Sequence, residues 1–179
     1  MHDREMTNKM TTRPWSDPEM ERALADGLNN KRISLGKRPI PLSENLGALA
    51  RMHAWAKVVK MQMKGHLHSW PDWEYFDDHR AADKMRMQPR RLTRYQGDGY
   101  EVAVVSTDIS ADSTTLLDAL FNSPPHRAAM FGEGPWHKTE WRAMGVGYLR
   151  LSSDLVVQGQ PAVFMCIWFG EKVDVWGGY

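Results

Sequence analysis

The chain of 179 residues has a single cysteine, Cys166, and almost no net charge. One cysteine excludes an intrachain disulfide framework and a zinc site built from several thiolates. Lys and Arg number 23 against 22 Asp and Glu, so the formal net charge is +1. Without a net positive field, a chain lacks the main driving force for sequence-independent nucleic-acid binding. We therefore expect stability from packing and no nucleic-acid partner.

Long apolar runs and repeats are absent as well. The longest apolar run, Ala162 to Gly170, is far shorter than the roughly 20 residues that a membrane-spanning helix needs. The N-terminus shows no apolar leader segment, and no internal repeat occurs. At 42% apolar and 25% charged residues, the composition is that of a globular protein. We expect no transmembrane segment, and a monomer or weak dimer.

The length and the first half of the sequence predict one domain over residues 16–175, preceded by a flexible arm at residues 1–15. Apolar residues at helical spacing follow a capping box that opens at Ser16, and the helix ends near Leu35. Ser43 caps a second helix with a broad apolar face, which we expect to end at Gly65.

The second half mixes a long aperiodic segment with one helix and terminal strands. Residues 66–99 predict a loop, and a loop this long is more often functional than idle. Residues 101–106 are consistent with a strand or a helix start, and Asp112 or Ser113 caps a third helix. Strands are predicted at residues 144–151 and 162–170, the latter covered on both faces. Helices before two terminal strands favour an α+β sandwich over a doubly wound parallel fold.

Several short segments carry residues capable of chemistry. They are His66 and His68 in GHLHSW, Glu101 in GYEVAV, Ser123 to Arg127 in SPPHR, and His137 in GPWHKTEW. In an extended stretch His66 and His68 project to the same side, as in a metal chelate, although two loop histidines more often make surface hydrogen bonds. His126 follows a helix end fixed by two prolines, which suits a ligand and equally a histidine that caps helix carbonyls.

The order of these motifs resembles the bacterial members of the CAP superfamily, which includes cysteine-rich secretory proteins, insect venom antigens and plant pathogenesis-related proteins. SPPHR follows a leucine-rich helix, MGVGYL comes next, and a near-apolar strand ends in FG. The stretch NNKRISLGKRPIPLSENLGALARMHAWA is similar to the family's opening. LHSW and GYEVA stand where the family has its first cavity histidine and its Gly-Glu-Asn signature. The resemblance covers residues 18–171.

This resemblance implies a three-layer α-β-α sandwich with a mostly antiparallel central sheet and a cleft open to solvent. His68, Glu101 and His126 fall on cleft positions, and Ser123 falls where eukaryotic relatives have a second acid. His66 remains an alternative to His68, which we prefer because Ser69 supplies the small hydroxyl residue that follows the family's ligand. The Gly-Glu-Asn signature is altered here, and the disulfides of secreted relatives have no counterpart.

The predicted function is that of a non-enzymatic binding protein. Two neutral imidazoles and a carboxylate, from His68, His126 and Glu101, would bind Zn²⁺ or another divalent cation. So few protein ligands predict a weak, exchangeable site, which loses its metal below about pH 6 as the imidazoles protonate. The expected partner is a small molecule, a lipid, a glycan or a peptide. Because the family is mostly exported, the resemblance implies a secreted or periplasmic protein.

Two other interpretations stay open. Ser123, His126 and Glu101 contain the residue types of a serine hydrolase, and a metal-bound water with Glu101 as base would make a metal-dependent one. Against the serine version, Ser123 lacks a glycine-flanked elbow.

The third interpretation is purely structural. In it, the imidazoles satisfy backbone groups, and tryptophans cover the core. These are Trp70, Trp73, Trp136 and Trp141. We expect His53 to be a packed, hydrogen-bonded core residue, His79 and His137 to be solvated, and Arg127 to pair with an acid in a supporting role.

Overall fold

A three-stranded antiparallel sheet lies between two layers of helices in the computed structural model, which describes residues 17–150 and 162–175. The arm expected at residues 1–15 lies outside the described residues. The strands are β1 (Gly99–Ser106), β2 (Ala143–Arg150) and β3 (Val163–Gly170). The helices are α1 (Pro18–Ser34), α2 (Glu44–Trp55), α3 (Ala82–Leu92), α4 (Ser113–Phe121) and α5 (Pro124–Phe131). This architecture confirms the expected α-β-α sandwich.

The central strand is β3, which pairs with β1 on one side and β2 on the other. All eight of its residues are buried. Successive side chains of a strand point to opposite faces, and β3 follows this rule: Met165 and Ile167 join one apolar cluster, whereas Phe164 and Cys166 join the other. The nearly continuous apolar sequence is therefore explained by a helix layer on each face.

The two layers differ in how closely they approach the sheet. One is formed mainly by α1, α4 and α5, and the other by α2 and α3. Helix α2 lies directly on β2, because a Cβ atom added at Gly145 or Gly147 would overlap the backbone of Leu46 or Ala50. The glycines of MGVGYL thus allow a helix backbone to contact the strand.

The first helices begin as the capping signals predict. The Asp17 carboxylate accepts a hydrogen bond from the Met20 N–H at 3.0 Å, so Asp17, one residue after the expected start of the capping box, is the N-cap of α1. Ser43 Oγ accepts from the Leu46 N–H at 3.0 Å and caps α2. The end of α2 differs from the prediction, because the helix passes into a π-helical turn at Ala56–Lys60 and stops before Gly65.

Two helices lie where the sequence predicted none. Helix α3 occupies part of the expected loop at residues 66–99 and buries Met85, Gln88 and Pro89. Helix α5 begins at the Pro124-Pro125 pair, which was expected only to end the preceding helix. Proline is favoured in the first turn of a helix because its missing N–H would have no intrahelical partner there. His126 therefore lies in the first turn of a helix.

Candidate functional site

Glu101 is the centre of a buried group of titratable side chains beneath α2. It lies on β1 opposite Trp168 of β3, and its side chain has no exposure to solvent. Oε1 lies 2.8 Å from Nδ1 of His53 on α2. Oε2 faces Nδ1 of His68 at 3.6 Å, an ion-pair distance. The carboxylate therefore lies between two imidazoles.

His53 is the packed core histidine that the sequence predicts. It is fully buried and stacks on Trp70 with ring centroids 4.5 Å apart. Its second ring nitrogen, Nε2, lies 3.0 Å from the Ser69 carbonyl oxygen. A carboxylate and a carbonyl both accept, so each ring nitrogen of His53 faces a hydrogen-bond acceptor.

The charges around Glu101 keep it ionised. Burial raises the pKa of its carboxyl group, but the charges and hydrogen bonds of His53 and His68 outweigh burial and lower that pKa to about 2. Glu101 is therefore an anion at neutral pH, and its Oε2 has no hydrogen-bond partner within normal range among the described residues. That atom holds the His68 ring through its negative charge.

The structure separates the roles of His66 and His68. His66 Nε2 pairs with Asp77 Oδ1 at 3.0 Å, and its Nδ1 accepts from the His68 backbone N–H at 3.2 Å. Burial, and then the charge of His68, lowers the pKa of His66. His68 instead faces Glu101 and is 12% exposed at its side chain. The preference for His68 as the cleft histidine stays a prediction.

His126 and Ser123 form a second, separate pair at the start of α5. Ser123 is the N-cap residue, but its hydroxyl makes no capping hydrogen bond and lies 2.9 Å from His126 Nδ1. Burial lowers the pKa of His126, and the charge of His68 lowers it further. The two histidines are thus close enough to interact electrostatically, and both causes favour the neutral form of His126.

The expected site residues are therefore only partly joined. His68 contacts Glu101, and Ser123 contacts His126. In the described part of the chain, the Glu101 carboxylate interacts with His53, His68 and the thiol of Cys166, and it makes no hydrogen bond or ion pair with His126. Glu101 was expected in a cleft open to solvent, whereas it is enclosed, because its strand position faces the α2 layer.

His53, Glu101 and Cys166 form a group that could hold a metal ion, since each offers a ligand atom within 4.8 Å of the others. All three residues are buried, and both His53 nitrogens already have partners. Cys166 Sγ donates to the Ala50 carbonyl oxygen at 3.4 Å, and burial, followed by the charges of Glu101 and Glu21, raises its thiol pKa well above the usual value. A metal ion would have to displace these contacts.

Lys57 is a feature that the sequence analysis missed. It lies in the π-helical turn and is fully buried. Its ammonium donates to three successive carbonyl oxygens, those of Lys64 at 2.6 Å, Gly65 at 3.2 Å and His66 at 2.6 Å. Burial lowers the pKa of Lys57 to about 8, against the charges of Glu101 and Glu74. The signal available in the sequence was a lysine four residues after His53, on the apolar face of the predicted helix.

The supporting predictions agree with the geometry. Arg127 pairs with Glu133 at 3.0 Å, and His79 and His137 are exposed. Trp70, Trp73 and Trp141 are buried in the two cores, whereas Trp136 is half-buried. Burial of these tryptophans means that they cover the core, as the structural interpretation expects.

No protein-family model matches the chain, and no curated protein does. The fold is similar to the crystal structure of a cysteine-rich secretory protein from Staphylococcus aureus subsp. aureus Mu50, with a TM-score of 0.52 and 16% sequence identity. The similarity covers 87% of this chain and 39% of that one, so the chain spans about two fifths of the length of that structure.

At 16% identity the similarity shows the fold alone. The chain has the CAP-like fold that its motifs predict. In the part of the chain that the structure describes, no helix combines the length and the apolar character needed to cross a bilayer.

Proposed function

We propose that this chain is a non-enzymatic CAP-like binding protein in which His68 and His126 hold a divalent cation such as Zn²⁺. The observation that carries the proposal is the ion pair between His68 Nδ1 and the buried Glu101 carboxylate. His68 Nδ1 and Glu101 Oε2 attract each other by charge without a hydrogen bond, and this arrangement leaves Nε2, the other ring nitrogen, for a ligand. His68 Nε2 makes no hydrogen bond to another described residue.

In this proposal Glu101 acts through His68. The sequence predicted Glu101 as a direct ligand together with His68 and His126. Its burial and its contact with His53 favour an orienting role, in which its charge fixes the direction of the His68 ring. The Ser123 hydroxyl orients the His126 ring in the same way, through its contact with Nδ1.

Two imidazoles hold a metal ion weakly, so water and part of a bound ligand complete its coordination. Such a site takes up and releases its metal rather than depending on it for folding. The ligand is a small molecule, lipid, glycan or peptide with a donor group for the metal. The resemblance supports a secreted or periplasmic setting, where such a protein meets its ligand outside the cytoplasm.

A hydrolase is the second candidate, and the Ser123–His126 contact at 2.9 Å favours it. A serine hydrolase also needs an acid that orients the histidine. Glu101 fills that position for His53 and His68 instead of His126. Assays with ester, peptide and glycan substrates, with and without a chelator, test this candidate. If the native chain turns over a substrate and Ser123→Ala does not, the protein is a hydrolase and the binding proposal is wrong.

Zinc titration by calorimetry at pH 7.5 tests the binding proposal. We expect heat from the native chain, and affinity reduced about tenfold or more in His68→Ala and in His126→Ala, since each removes one ligand. His137→Ala is the matched control, because His137 is exposed and outside the site. Cys166→Ser tests whether zinc binds instead at the buried group of His53, Glu101 and Cys166. If it does, this variant should bind zinc more weakly than the native chain. Absence of heat, or unchanged binding by His126→Ala, would refute the proposal.

A further inference from the structure

A cavity of about 550 Å³ lies away from the histidine site, at the ends of α1 and α5. Its walls come from the segment after α1, from the turn after α5 and from the stretch that leads into β2. None of His68, Glu101, Ser123 and His126 lines it. The volume falls in the range of small-molecule sites in proteins.

Positive charge is concentrated at this cavity. Four permanently or normally cationic residues line it, namely Arg32, Lys37, Arg38 and Arg142, and Glu140 is the single acid among its lining residues. The whole chain carries a formal charge of only +1, so this excess is local. A cavity wall with one sign of charge raises the local concentration of ligands of the opposite sign.

The excess of positive charge at the cavity remains when the ion pairs and hydrogen bonds of its cations within the protein are taken into account. Arg32 is buried, and its guanidinium donates to the backbone carbonyls of Arg38 and Met130, where it offsets the negative carbonyl end of α5. Glu140 is shared by Arg142 at 2.9 Å and Arg38 at 3.7 Å.

Lys37 makes no ion pair among the described residues. Three cations on the rim therefore face one carboxylate. Arginine side chains present paired N–H donors that match the oxygens of phosphate, sulfate and carboxylate groups.

Apart from Gly132, His137 and Thr139, the remaining wall of the cavity is apolar. It includes Phe131, Trp141, Pro39, Pro41 and Val173. Val173 is 59% exposed, so an apolar surface is accessible beside the cations. A ligand that fits both parts has an oxyanion at one end and a carbon frame at the other.

We propose that this cavity binds a small organic oxyanion, a phosphate or sulfate ester of an apolar or aromatic frame, through Lys37, Arg38 and Arg142. These three cations have one carboxylate, that of Glu140, beside them. The oxyanion supplies the additional negative charge. The proposal is independent of the metal site, since the two share no residue.

Isothermal titration with phenyl phosphate, phenyl sulfate and benzyl alcohol tests the proposal. We expect both esters to bind in the range of about 1 mM or tighter and the neutral alcohol not to bind. A preference between the two esters tells whether a dianionic phosphate or a monoanionic sulfate is favoured. Binding of both should weaken as salt is added, because the attraction is electrostatic.

Lys37→Ala and Arg142→Gln should each weaken ester binding about tenfold, the effect of losing one charge-assisted hydrogen bond. Both side chains are on the rim, so folding is preserved. Lys84→Ala is the matched control, because it removes the same charge from an exposed position on α3. The proposal is overturned if neither ester binds, if benzyl alcohol binds as well as the esters, or if Lys84→Ala weakens binding as much as Lys37→Ala.

Discussion

Nδ1 of His53 and Oε1 of Glu101 lie 2.8 Å apart, and neither side chain has any exposure to solvent. The pair joins α2 to β1 across the interface between helix layer and sheet. Its carboxylate also reaches His68, so the packing of the core fixes the direction of a residue in the candidate site. Stability and binding are therefore coupled at Glu101.

Glu101→Gln should destabilise the protein by about 3 kcal/mol at pH 7, because it leaves the buried His53 ring without its anionic partner. Urea unfolding measures this difference. Glu133→Gln is the control, since it breaks the exposed Arg127 pair and should cost less than about 1 kcal/mol. Equal effects of the two substitutions would contradict a special role for the buried pair.

The Glu101 carboxyl also predicts an acid dependence. Its pKa lies at about 2 in the folded chain, below its usual value of 4.5. A lowered pKa stabilises the folded state fully above pH 4.5, and this contribution disappears as the pH falls from 4.5 towards 2. Between these values the native chain should lose stability more steeply than Glu101→Gln, as measured by denaturant unfolding at each pH.

Lys57→Met should destabilise the chain by about 2 kcal/mol, because three carbonyl oxygens would lose their shared donor. Thermal unfolding shows the effect. Lys60→Met is the matched control; Lys60 is exposed and lies over the Trp55 ring, 5.2 Å from its centroid. We expect a change of less than about 1 kcal/mol for this control.

The same lysine predicts an alkaline dependence of the same sign as that of Glu101, since both pKa values are lowered in the folded chain. Its pKa is about 8 in the folded chain and 10.5 ordinarily. Between pH 8 and 10.5 the unfolded chain binds more protons than the folded chain, so the contribution of Lys57 to stability increases with pH. The difference in stability between the native chain and Lys57→Met should grow over this interval, and a constant difference would contradict the lowered pKa.

Gly147→Ala should cost about 3 kcal/mol, because the added methyl group would overlap the backbone of Ala50 and push α2 away from β2. Gly36→Ala is the comparison. Gly36 has open space around it but a φ of +70°, so its substitution should cost only about 1 kcal/mol of backbone strain. Denaturant unfolding of both variants distinguishes close packing from backbone conformation as the reason for these glycines.

Local signals in the sequence predicted much of the fold. Asp112 caps α4 through the Thr115 N–H at 2.8 Å, and Ser43 caps α2, because short polar side chains satisfy free backbone donors wherever a helix begins. The apolar strand at residues 163–170 was placed correctly in the middle of the sheet. Such features depend on neighbours along the chain, which the sequence displays directly.

Helix α3 was missed because its buried face is not an apolar pattern. It packs Gln88 and Pro89 beside Met85, and proline within a helix ordinarily argues against one. The contact between His53 and Glu101 was missed for a different reason. The two residues are 48 positions apart, and only the packing of α2 on β2 and β3 brings them together. Motif order predicted a site at His68, Glu101 and His126, but it carried no information about which neighbours Glu101 would have.

Cys166 offers a specific test of the interior. It is the single cysteine of the chain, it has no exposure to solvent, and burial raises the pKa of its thiol. Thiol reagents attack the thiolate and need access to the sulfur.

In the native chain, a chromogenic disulfide reagent should therefore react with Cys166 only as fast as the protein opens. In concentrated denaturant it should titrate one thiol per chain at once. Substitutions that change the free energy of unfolding should change the rate of the native reaction in proportion to the opening equilibrium. Lys57→Met should therefore accelerate the reaction, and Lys60→Met should leave its rate unchanged. Rapid, complete labelling of the native chain would mean that β3 is not the enclosed centre of the sheet.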